Sequence, residues 1–404
     1  MQATSAQQPT PQAAWITWVD AQGQPQQALW HSEARRPAPQ RLQCADDRMA
    51  ADTAYRLICE GTALLWQGDF FNARHLLDAL KRRIDQPRRS RKKVSAAPTA
   101  AASTPAMQFH QQRQKQARRA HLLGSVLVVV DGAYRIPLRR APAVQEACSA
   151  AWGAPAADAP PRVVALRELQ GIVSAYEWRR KGVQIPALRA LGGYDRIHPH
   201  YGVFSPVRGE YVDLVAQAPL PPGAERLAWD IGTGSGVLAA VLARRGVAQV
   251  LATDNSGRAL ACAQDNFQRL GVAHQVQLLE ADLFPPGQAP LIVCNPPWLP
   301  VRAATTLEQA VYDPDSRMLR GFLAGLAPRL LPGGEGWLIL SDLAEHLGLR
   351  SRADLLDWMA EAGLGVLGRI DIRPRHGKAH DPQDPLHAAR AAEVTSLWRL
   401  AALS

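Results

Sequence analysis

The sequence has few cysteines: five among 404 residues, odd in number and widely scattered. None stands in a C-x-x-C pair, the spacing typical of zinc sites and redox motifs. Such a set excludes a disulfide framework and a cysteine-based zinc site, so we expect reduced core thiols. The five are Cys44, Cys59, Cys148, Cys262 and Cys294.

Long apolar runs are also missing. No uninterrupted stretch approaches the roughly 20 apolar residues that cross a bilayer. The first residues, MQATSAQQPTPQAA, have neither a basic start nor an apolar core, so we expect no signal peptide. With 47% hydrophobic and 20% charged residues, the composition indicates a globular, cytoplasmic protein without a membrane partner.

The sequence also lacks the motifs of a serine nucleophile, a phosphate-binding loop and a histidine metal site. Neither a G-x-S-x-G nucleophile elbow nor a P-loop occurs. The histidines lack metal-ligand spacing with a third partner, so we expect them to be surface or packing residues and expect no metal. Those considered are His198, His200, His376, His380 and His387.

Positive charge is abundant but local. The net charge is +10 at pH 7, and residues 1–150 hold 21 Lys or Arg against 11 Asp or Glu, again a net of +10. Between Lys81 and Arg119, twelve basic residues accompany one acid, Asp85, a net of +11. A solvated basic linker and an attraction to RNA, a ribosome or another polyanion both fit this stretch. It lacks the interleaved aromatics on which bases stack, which argues against sequence-specific readout.

The N-terminal half shows mixed patterns. Residues 1–13 are rich in Gln, Ala and Pro and predict a disordered tail, and residues 14–33 predict a hairpin. Apolar residues at helical spacing across 47–84 predict two or three helices, and 163–182 predict another. Residues 125–130, SVLVVV, predict a strand. We therefore expect a mixed, mainly helical domain over 14–195 that recognises the substrate, with a basic flexible linker at 87–112.

From residue 196 to 404 the pattern changes to strands alternating with helices. Seven strand candidates with crossover helices predict a Rossmann-like, doubly wound α/β sheet. A loop rather than a clear crossover helix joins the last two, which favours an antiparallel pair at one edge. The candidates are RLAWDI, QVLATD, QVQLLEAD, LIVCN, GWLILS, VLGRIDI and VTSLWRL.

Polar and glycine residues cluster where these strands end. The turn DIGTGSG, residues 230–236, follows the first strand and opens a helix, so its glycines let a ligand approach unpaired N–H groups. Asp254 closes the second strand, where a carboxylate can accept both ribose hydroxyls of a nucleoside. Asp282 closes the third, where it can meet an adenine amino group. Each acid alone fits a helix cap or turn, but their shared register at one sheet edge indicates a ligand site.

The fourth strand ends in the segment NPPW, residues 295–298. Proline fixes φ and has no backbone N–H, so Pro296-Pro297 ends the strand and leaves the carbonyls of Asn295 and Pro296 without ladder partners. A simple turn does not require the tryptophan that follows. The segment therefore points to chemistry at the strand end.

Residues 196–404 resemble a class I S-adenosylmethionine-dependent methyltransferase, specifically the small methyltransferase domain with an N-P-P-[YFW] motif. DIGTGSG, Asp254, ADLF (281–284) and NPPW carry the resemblance, which is greatest to the release-factor glutamine methyltransferases. It implies S-adenosylmethionine as the cofactor and a planar nitrogen as the methyl acceptor. The implied cofactor-binding residues are Asp230, Gly232, Thr233, Gly234, Gly236, Asp254, Asn255, Asp282, Leu283 and Asn295.

The same resemblance implies how the acceptor is held. Asn295 Oδ1 and the Pro296 carbonyl would accept the two N–H hydrogens of the acceptor nitrogen, and Trp298 would stack on its flat group. The upstream segment 203–215 would cover the substrate entrance through Phe204, Pro206 and Arg208. It lacks the usual acidic character of family versions, and Trp298 stands where the glutamine enzymes typically have tyrosine.

Three readings of the function follow. The partner is a protein carrying a glutamine, such as a translation factor, or it is ribosomal or transfer RNA methylated on a guanine or adenine amino group. The third reading is a methyltransferase-like fold kept as a non-catalytic binding module. The motif resemblance and the absence of base-stacking aromatics favour the protein amide.

Overall fold

The computed structural model describes residues 14–20, 22–86, 104–156, 158–207, 209–303, 308, 311–375 and 381–403. The chain divides into two compact units, one of residues 1–93 and 117–173 and one of residues 94–116 and 174–404. This division differs from the single boundary expected at 195/196. The expected tail at 1–13, Arg208, His376 and His380 lie outside the described residues.

A six-stranded sheet forms the centre of the first unit, with strand order β1-β2-β6-β5-β4-β3. The pairs β1–β2 and β5–β6 are antiparallel and the others are parallel. One face packs against the helices through residues such as Leu64, Trp66 and Val128. The elements up to the end of this unit are β1 Trp15–Val19, β2 Pro25–Trp30, β3 Arg41–Ala45, α1 Ala51–Cys59, β4 Thr62–Trp66, α2 Phe70–Asp85, α3 Pro105–Leu123, β5 Val126–Val130, α4 Gln145–Trp152, β6 Arg162–Ala165 and α5 Leu166–Lys181.

This sheet corrects the expectation of a mainly helical region. The predicted hairpin and the strand at SVLVVV are present, but β3, β4 and β6 were missed. β4, TALLW, has four buried residues in succession, so it shows no period-two alternation and was assigned to a helical stretch. Helix α3 begins at Pro105, so the linker expected at 87–112 is too long at its C-terminal end, and residues 87–103 lie outside the described residues.

The second unit contains the expected seven-stranded sheet, in the order β11-β10-β9-β12-β13-β15-β14. All seven predicted strands are present. Strand β15 runs antiparallel to both β13 and β14, which confirms the antiparallel edge pair. Its elements after α5 are β7 Val183–Gln184, α6 Pro186–Ala190, β8 Arg196–Ile197, α7 Glu210–Gln217, β9 Leu227–Ile231, α8 Val237–Arg244, β10 Gln249–Asp254, α9 Gly257–Leu270, β11 Val276–Glu280, β12 Ala289–Cys294, α10 Arg317–Leu326, β13 Leu330–Ser341, α11 Leu343–His346, α12 Arg352–Glu361, β14 Leu364–Ile372, α13 His387–Ala392 and β15 Thr395–Ala402.

Helices cover both faces of this sheet. Helices α6 to α9 pack on one face and α10 and α12 on the other, and each face forms its own apolar cluster. All six residues of the central strand β12 are therefore buried, which explains its unbroken apolar sequence. The parallel strands β9 to β12 consequently end at one shared edge, where polar groups can face a ligand.

A buried ion pair joins β13 to β15. Arg399 donates from Nε and Nη2 to the Glu335 carboxylate at 2.8 and 2.5 Å, and Trp337 Nε1 donates to the same group at 2.9 Å. Burial opposes ionisation of Glu335, but these hydrogen bonds outweigh it and lower the pKa. The charged form of Glu335 therefore stabilises the folded state.

Replacing Glu335 with Ala should lower the free energy of unfolding by about 2 kcal/mol, because a partly buried guanidinium and a buried indole N–H lose their partner. Urea titration followed by circular dichroism measures the change. The matched control is Glu225→Ala, at a side chain that is 63% exposed, with an expected effect within about 0.5 kcal/mol.

The difference between wild type and Glu335→Ala should also depend on pH. A lowered pKa gives stability that is present above the unfolded pKa, about 4.3, and is lost as the pH falls through the folded value. The difference should therefore be full at pH 7 and shrink below about pH 4. A constant difference down to pH 2.5 would contradict this account.

Candidate active site

A cavity of about 1300 Å³ lies at the carboxyl edge of the second unit's sheet. The residues that follow β9, β10, β11 and β12 form its walls, as expected for the ligand edge of a doubly wound sheet. Of the residues predicted to bind cofactor, only Gly236 is not on these walls. The others are Asp230, Gly232, Thr233, Gly234, Asp254, Asn255, Asp282, Leu283 and Asn295.

The glycine turn that follows β9 requires its glycines. Gly232, Gly234 and Gly236 have φ angles of +71°, +55° and +81°, which other residues rarely adopt. A Cβ at Gly236 would lie 2.6 Å from the Phe267 ring, so this glycine lets α8 and α9 approach. Apart from its chain neighbours, no atom of the described residues lies within 4 Å of a Cβ built on Gly234. The backbone of this glycine is therefore accessible to a ligand.

A buried carboxylate shapes this turn. Asp230 is 1% exposed, and its Oδ2 accepts hydrogen bonds from Thr233 Oγ1 at 2.6 Å and from the Ala239 N–H at 3.1 Å. Burial raises the pKa of Asp230 to about 6, although both hydrogen bonds favour the charged form. Because its two donors lie on either side of Gly236, Asp230 ties the turn to the first turn of α8.

Asp254 faces the glycine turn from the end of β10. Its Oδ2 accepts from the Gly234 N–H at 3.0 Å and its Oδ1 from the Ser256 N–H at 2.9 Å. Burial raises the pKa of this carboxyl, and the backbone hydrogen bonds oppose that rise. A carboxylate has about four acceptor positions, so Asp254 keeps the capacity to accept from a hydroxyl in the cavity.

Asp282 and Leu283 form the next part of the wall. Asp282 is exposed, and its Oδ2 accepts from Arg317 Nη2 at 3.1 Å. Leu283 has a φ of +78°, rare for a residue with a Cβ, and its carbonyl accepts from Thr253 Oγ1 at 2.6 Å. That strained backbone is held at the cavity wall, where strain often accompanies function.

The NPPW segment lines the cavity after β12. Trp298 is partly buried, packs against the apolar clusters of both sheet faces, and donates its indole N–H to Asn295 Oδ1 at 2.9 Å. The Asn295 oxygen was expected to serve the methyl acceptor alone, but it also accepts from Trp298. One of its two lone pairs is taken by Trp298, and the other remains.

The residues on the far wall of the cavity were not predicted from the sequence. Phe109 on α3 is 4% exposed and clusters with Leu299, Leu343, Leu347 and Leu386. Further residues there are Tyr312 and Arg390. The available signal was that Phe109 is the single Phe, Trp or Tyr between Lys81 and Arg119.

Arg113 holds α3 beside this wall. Its guanidinium lies 4.0 Å from the centre of the Tyr312 ring, and its Nη2 donates to the Arg302 carbonyl at 2.7 Å. The backbone bridge between Leu299 and Tyr312 links the same loop to the NPPW segment. Part of the basic stretch is therefore structural.

The two described residues of the proposed entrance differ in position. Phe204 lines the cavity, while Pro206 is buried away from its walls. His198 and His200 have packing roles. His198 Nδ1 lies 2.6 Å from the Arg179 carbonyl oxygen, and His198 Nε2 lies 2.6 Å from the Tyr194 hydroxyl. His200 Nε2 lies 2.8 Å from Asp265 Oδ2. Burial lowers the pKa of both histidines.

Among the described residues, no helix is both long enough and apolar enough to span a bilayer. Nor do these residues bring together three His, Cys, Asp or Glu side chains that could hold a metal ion. All five cysteines are free thiols, and Cys148, Cys262 and Cys294 are buried.

Comparison with known proteins identifies relatives of this chain. The family model "Methyltransferase small domain" matches residues 196–350. The release factor glutamine methyltransferase of Xylella fastidiosa (strain 9a5c) is 32% identical over 246 residues, which cover 56% of this chain and 86% of the relative. The tRNA1(Val) (adenine(37)-N6)-methyltransferase of Shewanella loihica is 31% identical over 204 residues, 46% of this chain and 79% of the relative.

Among solved structures, a ribosomal protein L11 methylase from Lactobacillus delbrueckii subsp. bulgaricus aligns with a TM-score of 0.33 and 19% identity, over 48% of this chain and 80% of that one. The chain is therefore an S-adenosylmethionine-dependent enzyme that belongs to the class I methyltransferases with a methyltransferase small domain, the family of the release factor glutamine methyltransferases.

Proposed function

We propose that this enzyme methylates a planar nitrogen of a macromolecule, and that its substrate is the side-chain amide of a protein glutamine, as on a translation factor. The observation that carries the proposal is the position of Asn295 and Pro296 on the cavity wall, directly after β12. Similarity to release factor glutamine methyltransferases over most of their length supports the choice of glutamine. Since such substrates belong to translation, we also propose that the enzyme works in the cytoplasm.

The cavity residues fit S-adenosylmethionine. The Asp254 carboxylate offers two acceptors to the ribose hydroxyls, and the glycine turn offers bare backbone to the methionine part. Asp282, which follows the neighbouring strand β11 on the cavity wall, would accept a hydrogen bond from the adenine amino group. The buried Asp230 adds negative charge where the cofactor is cationic.

The acceptor residues address the weak nucleophilicity of an amide. When bound, the cofactor supplies a methyl carbon that accepts the nitrogen lone pair as its bond to sulfur breaks. The amide lone pair is delocalised into the carbonyl, so Asn295 Oδ1 and the Pro296 carbonyl would accept its N–H hydrogens and stabilise the positive charge that develops. The nitrogen then releases one proton to solvent, and Trp298 supplies a flat face for stacking.

The first unit would recognise the protein that carries the glutamine. Phe109 and its apolar neighbours lie beside the NPPW segment, where a substrate loop would enter. Phe204, which lines the cavity, and Arg208, which lies outside the described residues, would cover the entrance. In this scheme the apolar wall binds the aliphatic part of the substrate side chain.

A second candidate substrate is an amino group on an RNA base. The similarity to a tRNA adenine methyltransferase and the net charge of +11 between Lys81 and Arg119 favour it. The single aromatic residue in that stretch belongs to the cavity wall, so it is not available for base stacking there. The relatives are enzymes, so they do not support a non-catalytic binding module.

Replacing Asp254 with Ala should weaken S-adenosylmethionine binding by more than tenfold, because two charge-assisted hydrogen bonds to the ribose are lost. Isothermal titration calorimetry measures the dissociation constant. Asp357→Ala, on the exposed side of α12, is the matched control and should bind like wild type. An unchanged dissociation constant for Asp254→Ala would remove Asp254 from the cofactor site.

Asn295→Ala should separate binding from turnover. We expect cofactor affinity within about threefold of wild type and turnover lower by about two to three orders of magnitude, as for other lost transition-state contacts. Transfer of labelled methyl groups to a purified release factor measures turnover, and calorimetry measures affinity. Loss of affinity in parallel with turnover would argue against this separation of roles.

The basic residues before α3 distinguish the two substrate classes. Each phosphate contact adds about 0.7 to 0.9 to the slope of log affinity against log salt. Changing Arg88, Arg89, Arg91, Lys92 and Lys93 to Gln should leave the salt dependence of partner binding unaltered if the substrate is a protein glutamine. The variant stops short of Pro105, so α3 and Phe109 are untouched.

A steep salt slope that the five substitutions flatten, with labelled methyl groups then recovered on RNA, would favour the nucleic acid substrate. Binding measured by fluorescence anisotropy between 50 and 300 mM salt gives the slope. Mass spectrometry of the labelled product identifies the methylated molecule.

A further inference from the structure

The orientation of the Asn295 carboxamide decides what its side chain can do. One end is an oxygen that accepts hydrogen bonds, and the other is an NH2 group that only donates. Rotating the group by half a turn exchanges the two ends at little cost in shape. The rotated group would point N–H hydrogens at the N–H hydrogens of an acceptor nitrogen and repel it.

Trp298 selects one of these two orientations. An indole N–H is a donor only, so it pairs with the oxygen end of the amide and not with the NH2 end. In the described parts of the chain, the indole N–H at 2.9 Å is the one hydrogen-bonding partner of the Asn295 side chain. Without it, no described side-chain contact distinguishes the two ends.

The indole of Trp298 is fixed in position by packing and by the backbone hydrogen bonds of its neighbour, so it can determine the orientation of the Asn295 amide. Its ring packs against apolar clusters on both faces of the sheet. Immediately after it, the Leu299 N–H donates to the Val311 carbonyl at 3.1 Å, and the Leu299 carbonyl accepts from the Asp313 N–H at 2.8 Å. The prolines before it fix φ on the other side.

The oxygen can serve Trp298 and a ligand together. A carboxamide oxygen has two lone pairs, one of which takes the indole N–H, so one remains for a donor in the cavity. Phenylalanine would keep a flat face at this position but has no N–H. The ring and the N–H of Trp298 therefore have separable effects.

We propose that Trp298 is a positioning residue that fixes Asn295 Oδ1 as an acceptor toward the methyl-transfer position. The inference rests on the proposed function and adds a residue that acts through Asn295. Trp298 therefore contributes orientation through its N–H in addition to stacking through its ring.

Two cofactor analogues test this without the macromolecular substrate. S-Adenosylhomocysteine lacks the transferable methyl group, and sinefungin carries a charged amine at that position, which donates hydrogen bonds as an acceptor nitrogen would. The ratio of their dissociation constants, measured by calorimetry, reports whether Asn295 accepts from that position. A structural defect would weaken both ligands together and leave the ratio unchanged.

Wild type should prefer sinefungin by at least tenfold, since the amine is charged and donates to fixed acceptors. Asn295→Ala should abolish the preference. Trp298→Phe should reduce it by about fivefold, with S-adenosylhomocysteine affinity unchanged. Trp178→Phe is the matched control, because Trp178 is 54% exposed and outside the cavity, and it should keep the wild-type ratio.

Each other outcome has a distinct meaning. If Trp298→Phe keeps the full preference while Asn295→Ala loses it, the positioning role is wrong and the proposed function stands. If wild type binds both analogues equally, Asn295 Oδ1 does not accept a hydrogen bond from the methyl-transfer position, and the inference fails. If wild type binds neither analogue, the proposed function fails first. A melting temperature for each variant identifies any that does not fold.

Discussion

Two consecutive prolines at the end of β12 impose the constraint on which the site depends. Neither has an N–H to continue the sheet, so the chain leaves the ladder at Asn295, and backbone bridging resumes only at Leu299. Because β12 is buried along its whole length between two helix layers, this departure takes place at the wall of a cavity rather than in solvent. The polar groups that a regular strand would have paired are thereby available for a ligand.

Two acids stand beside the glycine turn. Asp230 is buried, Asp254 is partly buried and faces the turn from the end of β10, and burial raises the pKa of both. In an apolar setting such charges are incompletely compensated by backbone donors, so a cationic ligand is the natural complement. The turn geometry and the local electrostatics therefore favour the same kind of ligand, a nucleoside with a positively charged chain.

Sequence patterns predicted the seven strands of the large sheet in the second unit and most of the cavity wall, because alternating strands and helices place strand ends at one edge. They did not reveal Phe109 or Tyr312, which reach the cavity from α3 and from a loop, at sequence distances that no local pattern encodes. They also missed β4, whose buried run lacks alternation. The bond from Trp298 to Asn295 depends on a side-chain rotamer, which residue order does not specify.

Helix α3 belongs partly to each unit: residues 105–116 group with the cavity and residues 117–123 with the first sheet. Neither unit is thus one continuous piece of chain, and no single cut separates them. A fragment beginning at residue 196, where the family model begins, would lack Phe109 and Arg113. It would lose the ring that packs against Leu299, Leu343, Leu347 and Leu386, and so expose part of this apolar cluster to water. A fragment cut at the bounds of the family match would therefore lack part of the cavity wall.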